Sequence, residues 1–317
     1  MDQFIDRLER SIVRRGTPVV VGIDPHLSML PENILPASSA GTAPCSEGWD
    51  DRRLALAMQS FCRGVLDVVT GLVPAVKFQL AFFEQIGPAG ASVLADLVQQ
   101  AHRGGLLVIL DGKRGDIGST ALAYAQGMLG AGSSSAWGGD ALTVNPYLGD
   151  DALEPFVQTA QERHAGVFVL VKTSNPGGRV FQDLIAEGKP IYRHVAALVE
   201  QLASKHLGKC GYGDIGGVVG AVYREQLAEL REAMPHTWFL VPGYGSQGAR
   251  AADVAPAFDP RGRGAVINNS RAIIFAYRRR EYERFGPGRW QEAVEAATRD
   301  MIAELRAETP AGRIGLE

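Results

Sequence analysis

The sequence predicts an α/β chain folded into one closed barrel of eight β-then-α units, a (β/α)8 or TIM barrel. Three observations carry that expectation. Short apolar runs rich in β-branched residues recur eight times along the 317 residues. Amphipathic stretches of helical length separate them, the order expected of parallel strands joined by crossovers. No linker, low-complexity stretch or composition break divides the chain, which favours a single barrel domain spanning 1–317 over a doubly wound sheet with a second domain.

Taken in order, the amino terminus places Phe4, Ile5, Leu8 and Ile12 at helical spacing, with charges elsewhere. The expected strands are residues 19–23, 75–78, 106–110, 141–144, 167–171, 217–222, 239–241 and 265–267. Helical patterns fill 53–69, 89–103, 120–129, 152–163, 192–206 and 224–234, and 289–306 follows the last run. The length beyond the ~250 residues of a minimal barrel falls in three insertions at 26–50, 175–189 and 243–264. Each follows a strand, so all three crown one face, and long loops on one face usually cover a site.

Bulk properties exclude several classes. A net charge of −3 gives no electrostatic footprint for nucleic acid, and Arg278-Arg279-Arg280 is followed at once by Glu281 and Glu283, as on a solvated helix end. Hydrophobic content of 46% and charged content of 21% suit an ordinary globular protein. No run approaches the ~18 apolar residues of a membrane span, and the first helix lacks an apolar signal core. Cys45, Cys62 and Cys210 form neither a CxxC nor an even set, which suits a reducing compartment. A cytoplasmic location without membrane or nucleic-acid partners is the expectation.

The residues at or just after the run ends are Asp24, Lys77, Asp111 with Lys113, Asn145, Thr173, Gln247 and Arg271. In a (β/α)8 barrel that face holds the chemistry. The densest segment is Leu110-Asp111-Gly112-Lys113-Arg114-Gly115-Asp116-Ile117-Gly118-Ser119-Thr120. Residues two apart on a strand share a face, so Asp111 and Lys113 point the same way, while Asp116 lies beyond them in a Gly-flanked loop. A solvated loop or a structural ion pair is the plain alternative. With Lys77, however, two ammonium and two carboxylate groups can keep one another ionised despite burial. Such an array can repel an anionic substrate group at one point while offering an acidic ammonium proton at an adjacent one. A carboxylate forced to ~4 Å from another anion would be disfavoured by ~4 kcal/mol at an effective dielectric of ~20. Loss of CO2 would relieve that repulsion, and stabilisation of the developing carbanion by Lys113 is an equally good source of rate.

Two further motifs support a phosphorylated ligand with a polar ring. Gly243-Tyr244-Gly245-Ser246-Gln247-Gly248 matches GxGxxG, yet it follows the seventh run and has no acidic residue ~20 positions on, so a monophosphate grip is favoured over a dinucleotide. Its backbone N–H groups, Gln247 and Arg271 would form that grip. Thr173-Ser174-Asn175-Pro176-Gly177 could read the hydrogen-bonding edge of a flat ring or serve only as a turn. HExxH, GxSxG, P-loop and clustered His/Cys patterns are all missing, so no metal site or acyl-enzyme is expected.

At this point the residues resemble the orotidine 5′-phosphate decarboxylase family, in its longer bacterial branch. Asp-x-Lys-x-x-Asp-Ile-x-x-Thr at Asp111–Thr120 carries the likeness. Gly22-Ile23-Asp24-Pro25, Val76-Lys77-Phe78-Gln79, Thr143-Val144-Asn145-Pro146-Tyr147, the Thr173–Gly177 string, Val241-Pro242-Gly243 with Gln247, and Ser270-Arg271 extend it over most of the chain. The resemblance implies conversion of orotidine monophosphate to UMP and CO2 in pyrimidine biosynthesis, without metal or organic cofactor. Lys113 would protonate C6, Asp111 would sit beside the departing carboxylate, and Lys77 would complete the network and bond the ribose. Asp24 would bind ribose hydroxyls, Thr173 or Ser174 the pyrimidine, and Gln247 and Arg271 the phosphate. Asp116 and Thr120 would reach the neighbouring subunit's site, implying a homodimer. Ser270 stands where a glycine is common. The alternative is a Mg2+-dependent sugar-phosphate decarboxylase or hexulose-phosphate synthase of the same barrel group. Those place an acidic residue where Lys77 stands, and a lysine there would repel Mg2+.

Overall fold

The structure is a computed structural model and describes residues 2–34, 51–131, 134–245 and 248–316. Eight strands close into a barrel: β1 Val19–Ile23, β2 Ala75–Gln79, β3 Leu107–Arg114, β4 Ala141–Val144, β5 Gly166–Lys172, β6 Ile215–Val219, β7 Phe239–Val241 and β8 Ala265–Asn269. Every barrel pairing is parallel, and β8 returns to β1 with Val19 opposite Ile267. Helices Asp51–Val69, Gly87–Arg103, Gly118–Met128, Asp150–Glu162, Ile191–Ser204, Arg224–Ala233 and Trp290–Glu308 follow strands as the periodicity predicts. Among the described residues between β7 and β8, one α-helical turn forms at Ala251–Val254, followed by a 3-10 turn at Ala255–Ala257. The insertion at 175–189 builds a helical turn, Arg179–Gln182, and contributes to a two-residue hairpin pairing Ile185–Ala186 with Lys189–Pro190. Most of the 26–50 insertion and Cys45 lie outside the described residues.

The period of two along each strand explains where the site forms. Val20, Ala75, Ile109, Ala141, Phe168, Val218, Leu240 and Val266 join one apolar cluster inside the barrel. Two residues further along their strands, positions of the same face carry Lys77, Asp111, Thr143 and Asn268. The interior is therefore apolar at the strands' N-terminal ends and polar at their C-terminal ends. The amino-terminal helix Phe4–Arg15 closes the apolar end: Phe4, Ile5, Leu8 and Ile12 are buried in the same cluster. Asp214, which precedes β6, accepts the Ile5 N–H at 2.8 Å. Asp140, which precedes β4, accepts Arg7 Nη1 at 2.6 Å and the Val108 N–H at 2.9 Å, and meets His102 Nε2 at 2.9 Å. Gly166 starts β5 because any Cβ there would lie 2.2 Å from the Phe4 ring.

The largest departures from the expected spans are in β3 and β6. β3 does not end at Leu110 but runs on through Asp111–Arg114, so the charged segment is itself strand. Its register against β4 breaks there, since Leu110 faces Leu142 while Arg114 faces Val144. β6 occupies Ile215–Val219 rather than 217–222. Its chain leaves the sheet at Gly220, where a Cβ would sit 2.9 Å from the backbone nitrogen of Ser174. Among the described residues no helix is long and apolar enough to cross a membrane.

Candidate active site

A cavity of about 450 Å³ opens at the C-terminal ends of the strands. Its floor is the Val218 and Leu240 surface, and its walls carry Asp24, Lys77, Gln79, Asp111, Lys113, Thr143, Asn268 and Arg271. Asp111 is the hub. Its Oδ2 accepts Lys77 Nζ at 2.6 Å and Gln79 Nε2 at 3.1 Å. Its Oδ1 accepts Lys113 Nζ at 2.6 Å and the Thr143 hydroxyl at 2.9 Å. Strand alternation supplies this convergence: Lys77 and Gln79 share one face of β2, and Asp111 is level with Gln79 across the β2–β3 pairing.

Burial alone would push the Asp111 carboxyl up, but the ammonium groups of Lys77 and Lys113 outweigh it and hold the group well below the usual carboxylate range. Burial alone would likewise lower Lys77. Asp111, and behind it Asp24 with Oδ1 at 3.9 Å, reverse the sign and raise it above an ordinary lysine. Both groups are therefore ionised at neutral pH. Lys77 is 4% exposed, whereas the Lys113 side chain is 45% exposed and reaches into the open cavity. Lys113 also has φ 47°, in the left-handed region. A non-glycine residue held there costs about 1–3 kcal/mol and persists only where its surroundings fix it.

The remaining walls are built for hydrogen-bond donors and for an anion. Asp24 Oδ1 and Asn268 Oδ1 are buried and accept no hydrogen bond among the described residues. Buried orphan acceptors that line a cavity call for donors from a ligand. Arg271 is exposed at the start of the helical turn Arg271–Ile274, and among the described residues it meets no carboxylate. Gly22 lets β1 and β8 approach closely enough to bring Ser270 and Asn268 to this wall, since a Cβ on it would lie 1.8 Å from Ser270 Oγ. Thr173 and Ser174 both line the cavity. Thr173 is engaged, its N–H donating to Gln182 Oε1 at 3.0 Å and its hydroxyl oxygen accepting Gln182 Nε2 at 2.7 Å. Ser174 has the freer hydroxyl.

The profile of the orotidine 5′-phosphate decarboxylase / HUMPS family matches residues 18–285. The chain belongs to that family. It is 50% identical over 312 residues to the orotidine 5′-phosphate decarboxylase of Rhodopirellula baltica, covering 96% of this chain and 100% of the relative. The Leishmania donovani OMP decarboxylase structure superposes with a TM-score of 0.71 at 28% identity, covering 96% of this chain and 98% of that one. A Streptomyces avermitilis crystal structure matches at TM-score 0.77 and 33% identity, covering 97% and 96% of the two chains.

Of the residues singled out from the sequence, Asp24, Lys77, Asp111, Lys113, Thr173, Ser174 and Arg271 meet in this one cavity. Gln247 lies outside the described residues. Asp116 and Thr120 stand apart from the cavity lining. The Asp116 carboxylate accepts the Ile117 N–H at 2.8 Å, and Thr120 is exposed on the following helix. Asn145, expected at the rim, instead accepts the Tyr147 N–H at 3.0 Å and caps its own turn. His26 packs its ring on Phe82 with centroids 4.2 Å apart, and burial pushes its pKa down. Gln79, Thr143 and Asn268 were not singled out. Counting in twos from Lys77, Ala141 and Val266 reaches all three.

Proposed function

We propose that this chain converts orotidine 5′-phosphate to UMP and CO2 in pyrimidine biosynthesis, with no metal or organic cofactor. The observation that carries the reading is the pairing of Asp111 with two ammonium groups at 2.6 Å each, one buried and one facing the cavity. In this reading the substrate carboxylate lies against Asp111. The C6–carboxylate bond breaks, CO2 leaves, and the electron pair stays at C6, where the Lys113 ammonium stabilises it. Lys113 then gives C6 its proton and recovers one from solvent through its exposed side. Asp24 and Asn268 accept from ribose hydroxyls, Lys77 holds Asp111 ionised, and the free hydroxyl of Ser174 reads the pyrimidine. Arg271 and Gln247 bind the 5′-phosphate, and the insertion at 243–264 covers it, so that remote binding energy serves the chemical step.

We further propose a homodimer of single-domain chains, working in the cytoplasm, in which Asp116 and Thr120 complete the partner's site. Large exposed apolar side chains support this reading. Ile117 is 60%, Tyr147 81% and Phe181 63% exposed. Leu122, Tyr124 and Leu148 are exposed as well, and the Tyr147 and Phe181 rings meet with centroids 6.5 Å apart, an apolar surface that suits a partner. The Mg2+-dependent sugar-phosphate alternative is opposed by Lys77, whose ammonium stands at the end of β2 where those enzymes need a carboxylate.

The test is decarboxylation of orotidine monophosphate followed at the pyrimidine absorbance with EDTA present. Turnover unaffected by the chelator is expected. No turnover, or turnover that the chelator abolishes, would overturn the proposal.

A further inference from the structure

The irregularity between β3 and β4 leaves one backbone donor without a strand partner. From the Leu110–Leu142 pair to the Arg114–Val144 pair, β3 advances four residues while β4 advances two. Lys113 falls inside that gap with φ 47°. Its N–H donates instead to Thr143 Oγ1 at 2.9 Å. The same hydroxyl donates its proton to Asp111 Oδ1 at 2.9 Å, the oxygen that also accepts Lys113 Nζ at 2.6 Å. Thr143 is 1% exposed and lines the cavity.

We infer that Thr143 is a positioning residue for proton delivery, holding Lys113 at both ends. This inference rests on the decarboxylase reading above. A hydroxyl has one proton and two lone pairs. Here the proton goes to Asp111 and one lone pair receives the Lys113 N–H, so a single atom fixes the backbone of Lys113 and orients the carboxylate against which its ammonium rests. Remove the hydroxyl, and the N–H has no partner in the bulge. The left-handed conformation then loses its brace, and Lys113 relaxes toward negative φ. That swings its Nζ away from the place where C6 would lie. A misplacement of ~1 Å costs on the order of 100-fold in the chemical step. The groups that would hold ribose and phosphate, Asp24, Asn268 and Arg271, make no hydrogen bond to Thr143, so affinity is left alone.

The experiment compares Thr143→Val, which keeps the shape and loses the hydroxyl, with Thr143→Ser, which keeps the hydroxyl. Thr143→Ala serves as a second hydroxyl-free variant in case valine strains the fold. Steady-state kcat and KM for orotidine monophosphate are measured on the full chain, with UMP affinity by calorimetry. Expected is a fall in kcat of about 10- to 100-fold for the hydroxyl-free variants. KM and UMP affinity should stay within ~3-fold of the parent, and serine should restore kcat to within ~3-fold, because the positioning bonds are kept. Three outcomes would overturn the inference: undiminished kcat in the hydroxyl-free variants, loss of kcat together with UMP binding, or a serine variant no better than valine. An inert parent chain would instead overturn the decarboxylase reading, and this inference with it.

Discussion

Two lysines hold Asp111 at the same distance, 2.6 Å, yet they should differ in what they contribute to the fold. At that separation and an effective dielectric of ~20, each pair has a gross Coulomb attraction of about 6 kcal/mol. What survives depends on water. The Lys77 side chain is 5% exposed, so Lys77→Met breaks a buried pair and leaves Asp111 under-compensated, a change that costs about 3–5 kcal/mol. The Lys113 side chain is 45% exposed, so its pair is screened and worth about 0–1 kcal/mol. Lys113→Gly also relieves a φ of 47°, a gain of about 1–2 kcal/mol. The added freedom of glycine in the unfolded chain takes back about 0.5–1 kcal/mol. The net for Lys113→Gly therefore lies between about 1 kcal/mol of loss and about 1.5 kcal/mol of gain. At roughly 2 °C per kcal/mol for a chain of this size, Lys77→Met should lower Tm by roughly 6–10 °C and Lys113→Gly should move it by no more than roughly 3 °C. Both should abolish decarboxylation. Thermal unfolding by circular dichroism beside the absorbance assay checks the pair. Equal Tm losses in the two variants would show that burial does not set the value of these ion pairs, and the electrostatic account of the site would fail.

Further outcomes follow from other parts of the molecule. Mixing Lys113→Ala and Asp116→Ala chains should restore some activity, because one site of each heterodimer would carry neither lesion; no rescue would place the function of Asp116 within its own subunit. Arg271→Ala should lower kcat/KM for orotidine monophosphate by about 10- to 150-fold, the loss of a charged hydrogen bond, and leave turnover of the unphosphorylated nucleoside unchanged; equal losses on both would remove Arg271 from the phosphate site. Asp214 has its pKa pushed up to about 6 by burial, against an unfolded carboxyl near ~3.9. The folded chain thus binds the extra proton in that window, and stability falls as pH rises from about 4 through about 6. Asp214→Asn keeps an acceptor for the Ile5 N–H, so it should raise Tm at pH 7.5 and match the parent at pH 4; no gain at the higher pH would refute the assignment.

How far the sequence disclosed this structure depends on what ends each strand. β1, β4 and β7 fall on their expected spans, and each is followed within two residues by a proline, at Pro25, Pro146 and Pro242. A ring that fixes φ and removes a donor stops a strand where the apolar run also stops. β3 has no such stop. Its inward face turns from Ile109 to Asp111, so a reading that equates strand with apolar run ends at Leu110 while the backbone pairing continues to Arg114. β8 behaves alike, running two residues on into Asn268 and Asn269.

The same physics divides the site residues. Lys77, Asp111 and Lys113 were legible because charge beside a buried run is costly and so conspicuous. Gln79, Thr143 and Asn268 are neutral, and each passes for an ordinary strand-end residue until alternation carries it onto the wall of the cavity. Asn145 passes the polarity test and fails the geometric one, because an asparagine before proline finds a partner in its own turn. Polarity at a strand's end therefore marks the rim, and only the inward register marks the site. In this barrel β3 outruns its apolar run at the residue where the interior stops being apolar, and that residue, Asp111, is the hub of the cavity's hydrogen bonds.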